Sequence, residues 1–363
     1  MQNILGAKLR KSREDLGITQ DALAKAVNLS SEFISLLELG KRKPSLETLT
    51  TVAGYFKKDV SYFLQEKETA FNLLLKGEGV EIESRKELNK FKKYCEEYTW
   101  LEEITSKRIE LAPFYSNISA ERMAYEERRR LGLGEEPIRD VFSLLDLSGC
   151  HVIRQPFSEK SQISGVFIFL DVSESAFISV NCAQSFGKQV FTAAHEYCHY
   201  LKDRNTGPII DNPDVFIDEY ITLYHPREIF AQTFASRFLM PPRKVKEIIS
   251  KDIRSSQLSY RDVLYLKRYF GVDIHSMLRT LENLEFVSSA KFEEFQRFDP
   301  KVRENALFGD YQDNGRQQKE RGMPIRSDRF KSLALEAYKK KKINLEKLCA
   351  LLGKKKTNIA SMI

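Results

Sequence analysis

The feature that most constrains this chain is His195-Glu196-Tyr197-Cys198-His199, which reads H-E-x-x-H. The apolar run 190–194 in front of it predicts a helix through the motif. On a helix, positions i and i+4 share one face, so both imidazoles can reach one metal ion. Glu196 lies beside them, where a carboxylate can take a proton from a metal-activated water. The pattern therefore points to a catalytic zinc site rather than to two histidines packing an ordinary helix.

Such a site needs a third protein ligand and one open position. Downstream, Pro226 suits a first helical turn and Pro241-Pro242 suits an end. Between them Ala231, Phe234, Ala235 and Phe238 recur at helical spacing and form an apolar face. Glu228 stands in the first turn of this predicted helix, far enough beyond His199 for a long loop and a return helix to bring its carboxylate back. Glu228 is the expected third ligand. His225 is the competing imidazole, read as the residue that precedes the helix.

The stretch Phe191-Thr192-Ala193-Ala194-His195-Glu196-Tyr197-Cys198-His199 resembles the F-T-x-A-H-E-x-x-H block of the ImmA/IrrE metallopeptidase family. Residues 228–241 resemble that family's second block, E-x-x-A-x-x-F-A followed by L-M-P. Residues 163–168 and 176–181 resemble the two strands that precede the family's zinc helix. The likeness covers about residues 118–285. It implies zinc ligands His195, His199 and Glu228, with Glu196 as the base. Cys198 departs from the glycine common at that position and is expected to pack as a small hydrophobe.

The N-terminus carries an independent signal. Residues 19–27 read as a short amphipathic helix capped by Thr19, Asn28-Leu29 as a tight turn, and 30–38 as a second helix. Phe33, Ile34 and Leu37 are expected on its buried side. Gly40 and Pro44 punctuate the end. Flanked by helical stretches 5–16 and 46–56, this is a helix-turn-helix arrangement, and residues 1–64 resemble the XRE, or lambda-repressor-like, DNA-binding family. In that reading Ser31, Glu32 and Ser35 face base edges, and Gln20 braces the preceding helix. Arg42 and neighbouring lysines meet phosphates. Glu32 repels phosphate, so a homodimer is expected to supply affinity.

With 363 residues the chain suits two or three domains. A net charge of +7 permits nucleic-acid contact without requiring it. No apolar run is long enough to span a membrane, no signal peptide is legible, and the 5 cysteines form no C-x-x-C pair. A cytoplasmic protein with reduced thiols is the expectation.

The expected fold is multidomain: an all-α helix-turn-helix domain, then an α+β zincin-like metallopeptidase domain, then a helical C-terminal tail. Residues 1–65 form the first. Residues 66–112 form a helical linker, whose stripe Leu88, Phe91, Tyr94, Cys95, Tyr98 and Leu101 is either core or a dimer surface. Residues 113–290 hold the zinc domain, with helices at 119–131 and 137–147 and strands at 149–154, 163–168 and 176–181. Residues 211–224 are a lid candidate, 291–326 a polar connector, and 327–363 the tail, its lysine runs solvated. The expected function is a DNA-binding transcriptional regulator bound to a double-stranded operator. Its zinc-dependent endopeptidase domain cleaves a protein, by resemblance an XRE-type repressor, to relieve repression of stress-response or mobile-element genes. The alternative is a non-proteolytic transcription factor or antitoxin-like module whose zinc domain senses or binds a partner.

Overall fold

In the computed structural model, contacts divide the chain at Leu73 and Leu74 into two units, each with its own core. The structure describes residues 4–64, 71, 82–158, 161–211, 226–255, 257–309 and 325–354. Among them no helix is long and apolar enough to cross a membrane.

Among its described residues the first unit is all-helical: α1 (Ile4–Asp15), α2 (Gln20–Ala26), α3 (Ser31–Glu38), α4 (Leu46–Tyr55) and α5 (Val60–Leu64). Three of these helix starts are fixed by hydroxyl caps. Thr19, Ser30 and Ser45 accept from the amides of Ala22, Phe33 and Thr48, each at 3.1 Å. Asn28 takes a left-handed conformation (φ 55°) between α2 and α3, a turn an Asn tolerates at little cost. Leu23, Ile34, Leu37, Val52 and Phe63 are buried at the centre. Gly6 lets α1 lie directly on the carbonyls that end α3, since a Cβ there would stand 2.6 Å from the Glu38 oxygen. Phe33 is only partly buried; the Arg42 guanidinium covers its ring at 4.7 Å from the centroid.

The second unit is built on a five-stranded sheet of β1 (Cys150–Gln155), β2 (Gly165–Leu170), β3 (Ser175–Asn181), β4 (Ile209–Asp211) and β5 (Ile325–Arg326), in the order β4-β2-β3-β1-β5. β1 runs parallel to β3, and the other pairings are antiparallel. The three central strands are buried on both faces, because helices cover both sides. Residues alternate accordingly. Ala176, Ile178 and Val180 enter the main core, while Phe177 points to the opposite side. The edge strands β4 and β5 were not legible, since three and two residues carry no alternation.

Before the sheet come α6 (Ile82–Thr105), α7 (Ala120–Arg130) and α8 (Val141–Leu147). The expected helix at 137–147 starts later, at Val141, where Asp140 accepts from the Ser143 amide at 3.1 Å. The aromatic stripe of the expected linker is core and not a dimer surface. Leu88, Phe91, Tyr94, Cys95, Tyr98 and Leu101 on α6 are all buried. Tyr94 and Tyr98 meet Phe177 of β3 edge-on at 6.4 and 6.0 Å. The physical reason is that the sheet's second face needs an apolar cover, and α6 supplies it.

After β3 come α9 (Phe186–Lys202), α10 (Pro226–Leu239) and α11 (Pro242–Ile248), the last running into a π turn at Ile249–Ile253. Then follow α12 (Tyr260–Phe270), α13 (Ile274–Asn283), α14 (Ser289–Gln296), α15 (Pro300–Phe308), α16 (Asp328–Lys339) and α17 (Leu345–Leu352). Two helices, α14 and α15, therefore occupy much of the span expected as a polar connector. Ser288 and Asp299 cap them, and Pro300 stands in the first turn of α15. Residues 310–324 and the lid candidate at 212–224 lie outside the described residues. In the tail, α16 buries Phe330, Leu333, Ala334 and Ala337 and packs on α6.

Candidate metal centre

The helix α9 is sandwiched between the sheet and α10, and this placement assembles the site. Ser185 caps α9 by accepting from the Lys188 amide at 3.4 Å. Gly187, one residue into the helix, lies against the backbone at Val272, where a Cβ would come within 2.6 Å of the carbonyl oxygen. Ala193, Ala194, Tyr197, Cys198 and Leu201 are fully buried, so the helix has little freedom to rotate. Cys198 packs in this core, and burial pushes its thiol up out of the reactive range.

His195 and His199 stand one turn apart, both buried. Their Nε2 atoms are 3.3 Å apart. From α10, Glu228 brings its Oε2 to 3.1 Å from His195 Nε2 and 3.4 Å from His199 Nε2. Glu228 is in the first turn of α10, and Ala231, Ala235 and Phe238 continue its face into the core. The small residues let α10 approach α9, while Phe234 and Phe238 stack at 5.3 Å beside Tyr197. Among the described residues, His195, His199 and Glu228 are the one group of metal-binding side chains whose donor atoms converge, all within 4.8 Å. Two imidazole nitrogens and one carboxylate oxygen match the donor set of a catalytic zinc site. His225, the competing ligand, lies outside the described residues.

The charges at the site follow from these contacts. Burial disfavours the charge on His199, but hydrogen bonds with Asp203 and Glu228 outweigh it and push its pKa up to about 9. Burial also raises Glu228, yet its contacts with His195 and His199 win and hold it well below the usual carboxylate range. Glu196 is fully buried where α9 meets the start of β2. It fits there because residue 165 is glycine: a Cβ would collide with Glu196 Oε1 and stand 2.6 Å from Thr192 Cγ2.

Three residues with a stake in the site escaped the sequence reading. Gly165 makes room for Glu196. Asp203 holds His199 Nδ1 at 2.8 Å. Arg227 donates to the other oxygen of Glu228 at 3.2 Å. The i+4 spacing of His199 and Asp203 was a usable signal; the other two depend on tertiary approach. Tyr197 lies within the motif but bonds to α7. Its hydroxyl donates to Glu127 at 2.6 Å on α7, and Arg130 binds the same carboxylate at 2.6 Å.

In the first unit, Glu32 is exposed and Ser35 half-exposed on α3, and the Ser31 hydroxyl bonds to Asp21 of α2. Gln20 and Arg42 have intramolecular partners. Gln20 Nε2 donates to Glu38 Oε2 at 2.8 Å, joining the two-point Arg13–Glu38 ion pair at 2.7 and 3.0 Å. Arg42 lies over Phe33.

Comparison with known proteins agrees with this division. A model described as Helix-turn-helix matches residues 9–63, and a peptidase-family model described as IrrE N-terminal-like domain matches residues 146–282. The HTH-type transcriptional regulator PrpR of Mycobacterium tuberculosis is 35% identical over 63 residues, which are 17% of this chain and 13% of PrpR. The chain thus spans a small part of that relative. A structure of Bacillus thuringiensis PlcR in complex with a peptide and DNA aligns over 81% of this chain and 91% of its own. Its identity is 14% and its TM-score 0.17, a level that establishes no shared fold. The chain therefore joins an XRE-type helix-turn-helix domain to an ImmA/IrrE-type domain.

Proposed function

We propose that this protein is a transcriptional regulator that binds duplex DNA through its first unit and cleaves a protein with its second, using zinc. The observation that carries the reading is the convergence of His195 Nε2, His199 Nε2 and Glu228 Oε2 on one point, with Glu196 on the same helix. Zinc bound there would supply the Lewis acidity that activates water near neutral pH and polarises a scissile carbonyl. Glu196 takes the proton of the attacking water and returns it to the leaving amine. His195, His199 and Glu228 would hold the ion, and the buried packing of α9 keeps the two imidazoles on one face. By resemblance, the substrate is an XRE-type repressor, whose loss relieves repression of stress-response or mobile-element genes.

The substitution Glu196→Gln tests this. It keeps the side chain's shape and the three ligands but removes the base. Zinc content and DNA binding are expected to stay, while cleavage of an XRE-type repressor substrate falls by roughly 10²–10⁴-fold. Derepression that persists in Glu196→Gln yet fails in Ser31 or Arg42 variants would replace proteolysis with a sensing role.

A further inference from the structure

We propose that Asp203 is a positioning residue of the metal centre, one that fixes which nitrogen of His199 faces the ion. The inference rests on the zinc-site reading above. Asp203 closes α9 as its C-cap, four residues after His199 and so on the same helix face. Its Oδ2 stands 2.8 Å from His199 Nδ1. An ionised carboxylate only accepts, so Nδ1 must carry the hydrogen. The nitrogen left to give up its proton and offer a lone pair to a metal is then Nε2, the atom that faces His195 and Glu228. The same carboxylate makes Nε2 a stronger donor.

The backbone on both sides of Asp203 is held. Its amide donates to the His199 carbonyl at 2.7 Å. Its own carbonyl accepts from the Thr206 amide and from the Thr206 hydroxyl, both at 2.8 Å. A carboxylate anchored this way restrains the ring before any ion arrives, which lowers the cost of ordering the site on binding.

Zinc affinity of the full chain, measured by competition with a chromophoric chelator, tests this in Asp203→Ala and Asp203→Asn. The Ala variant loses the anchor. In the Asn variant the amide can turn and donate to Nδ1, which would move the hydrogen to Nε2, the wrong nitrogen. Both are expected to bind zinc about 10- to 100-fold more weakly. The rise in Tm on adding zinc should shrink in both variants. A purely structural role would lower the zinc-free Tm alone and leave the affinity of the folded fraction intact, and that result overturns the proposal. Should the Ala variant not fold, the Asn variant decides: weaker binding supports the role and wild-type affinity overturns it. If the wild type itself binds no zinc, the metal-centre reading falls, and this proposal with it.

Discussion

At position 165 one added methyl group would strike both Thr192 and Glu196 of α9. Gly165→Ala therefore forces the helix or the carboxylate to move. The expected cost is about 1–3 kcal/mol, the usual range for overpacking. Cleavage should fall with it while zinc content stays, because no ligand is touched. Thermal unfolding and elemental analysis check both; wild-type stability would show that the close approach is no constraint. The protonation of His199 gives a second residue-scale outcome. In the metal-free chain its partners keep it charged up to about pH 9. Zinc must displace that proton, so affinity should rise with pH up to about 9. Chelator competition across that range reads this directly, and a pH-independent affinity would contradict it.

The elements meet in a buried polar cluster away from the metal centre. His151 on β1 places Nδ1 3.0 Å from Asp146 of α8 and Nε2 3.4 Å from Glu102 of α6. Tyr98 stacks on its ring at 4.0 Å and donates to Asp146 at 3.0 Å. From α16, Arg329 donates to Tyr98 at 3.0 Å and to Glu102 at 2.6 Å. Four elements are thus joined by charge as well as by the apolar face of α16. Burial opposes a charge on His151, but the hydrogen bonds to Asp146 and Glu102 outweigh it and raise its pKa above 6.5. A raised folded-state pKa contributes stability that is complete below the unfolded value, about 6.5, and is lost as pH rises through the folded one. The stability difference between wild type and His151→Gln should accordingly shrink as pH climbs above about 6.5. Urea midpoints over a pH series test it, and a difference that grows with pH would reverse the assignment.

At the scale of the molecule, the first unit holds its own core from Leu9 to Phe63 and a set of capped helices. The fragment 1–73 should fold alone. It should bind a two-fold symmetric duplex with half-sites about one helical turn apart when dimeric. Affinity should drop steeply with salt, since phosphate contacts dominate such binding. Changing Glu32, which stands exposed on α3, should alter base preference at one position rather than weaken all sites alike. Selection from random duplexes that returns no enriched motif would rule out sequence-specific binding.

Local signals in the chain carried much of this. Thr19, Ser30 and Asn28 specify helix starts and a turn within a few residues, through hydrogen bonds and backbone preferences that need no distant partner. The i, i+4 pairing of His195 and His199 is a property of any helix, so it was legible before the fold was known. The edge strands were not, because β4 and β5 exist only where β2 and β1 offer free hydrogen-bonding groups. The stripe on α6 announced a buried face but not its partner. That it covers the sheet, rather than another chain, was decided by Phe177 and Phe330 arriving from far along the sequence. Gly165 is the sharpest case: its lack of a side chain matters only because α9 packs against β2, a contact that hydrophobic burial sets and no short window of sequence contains.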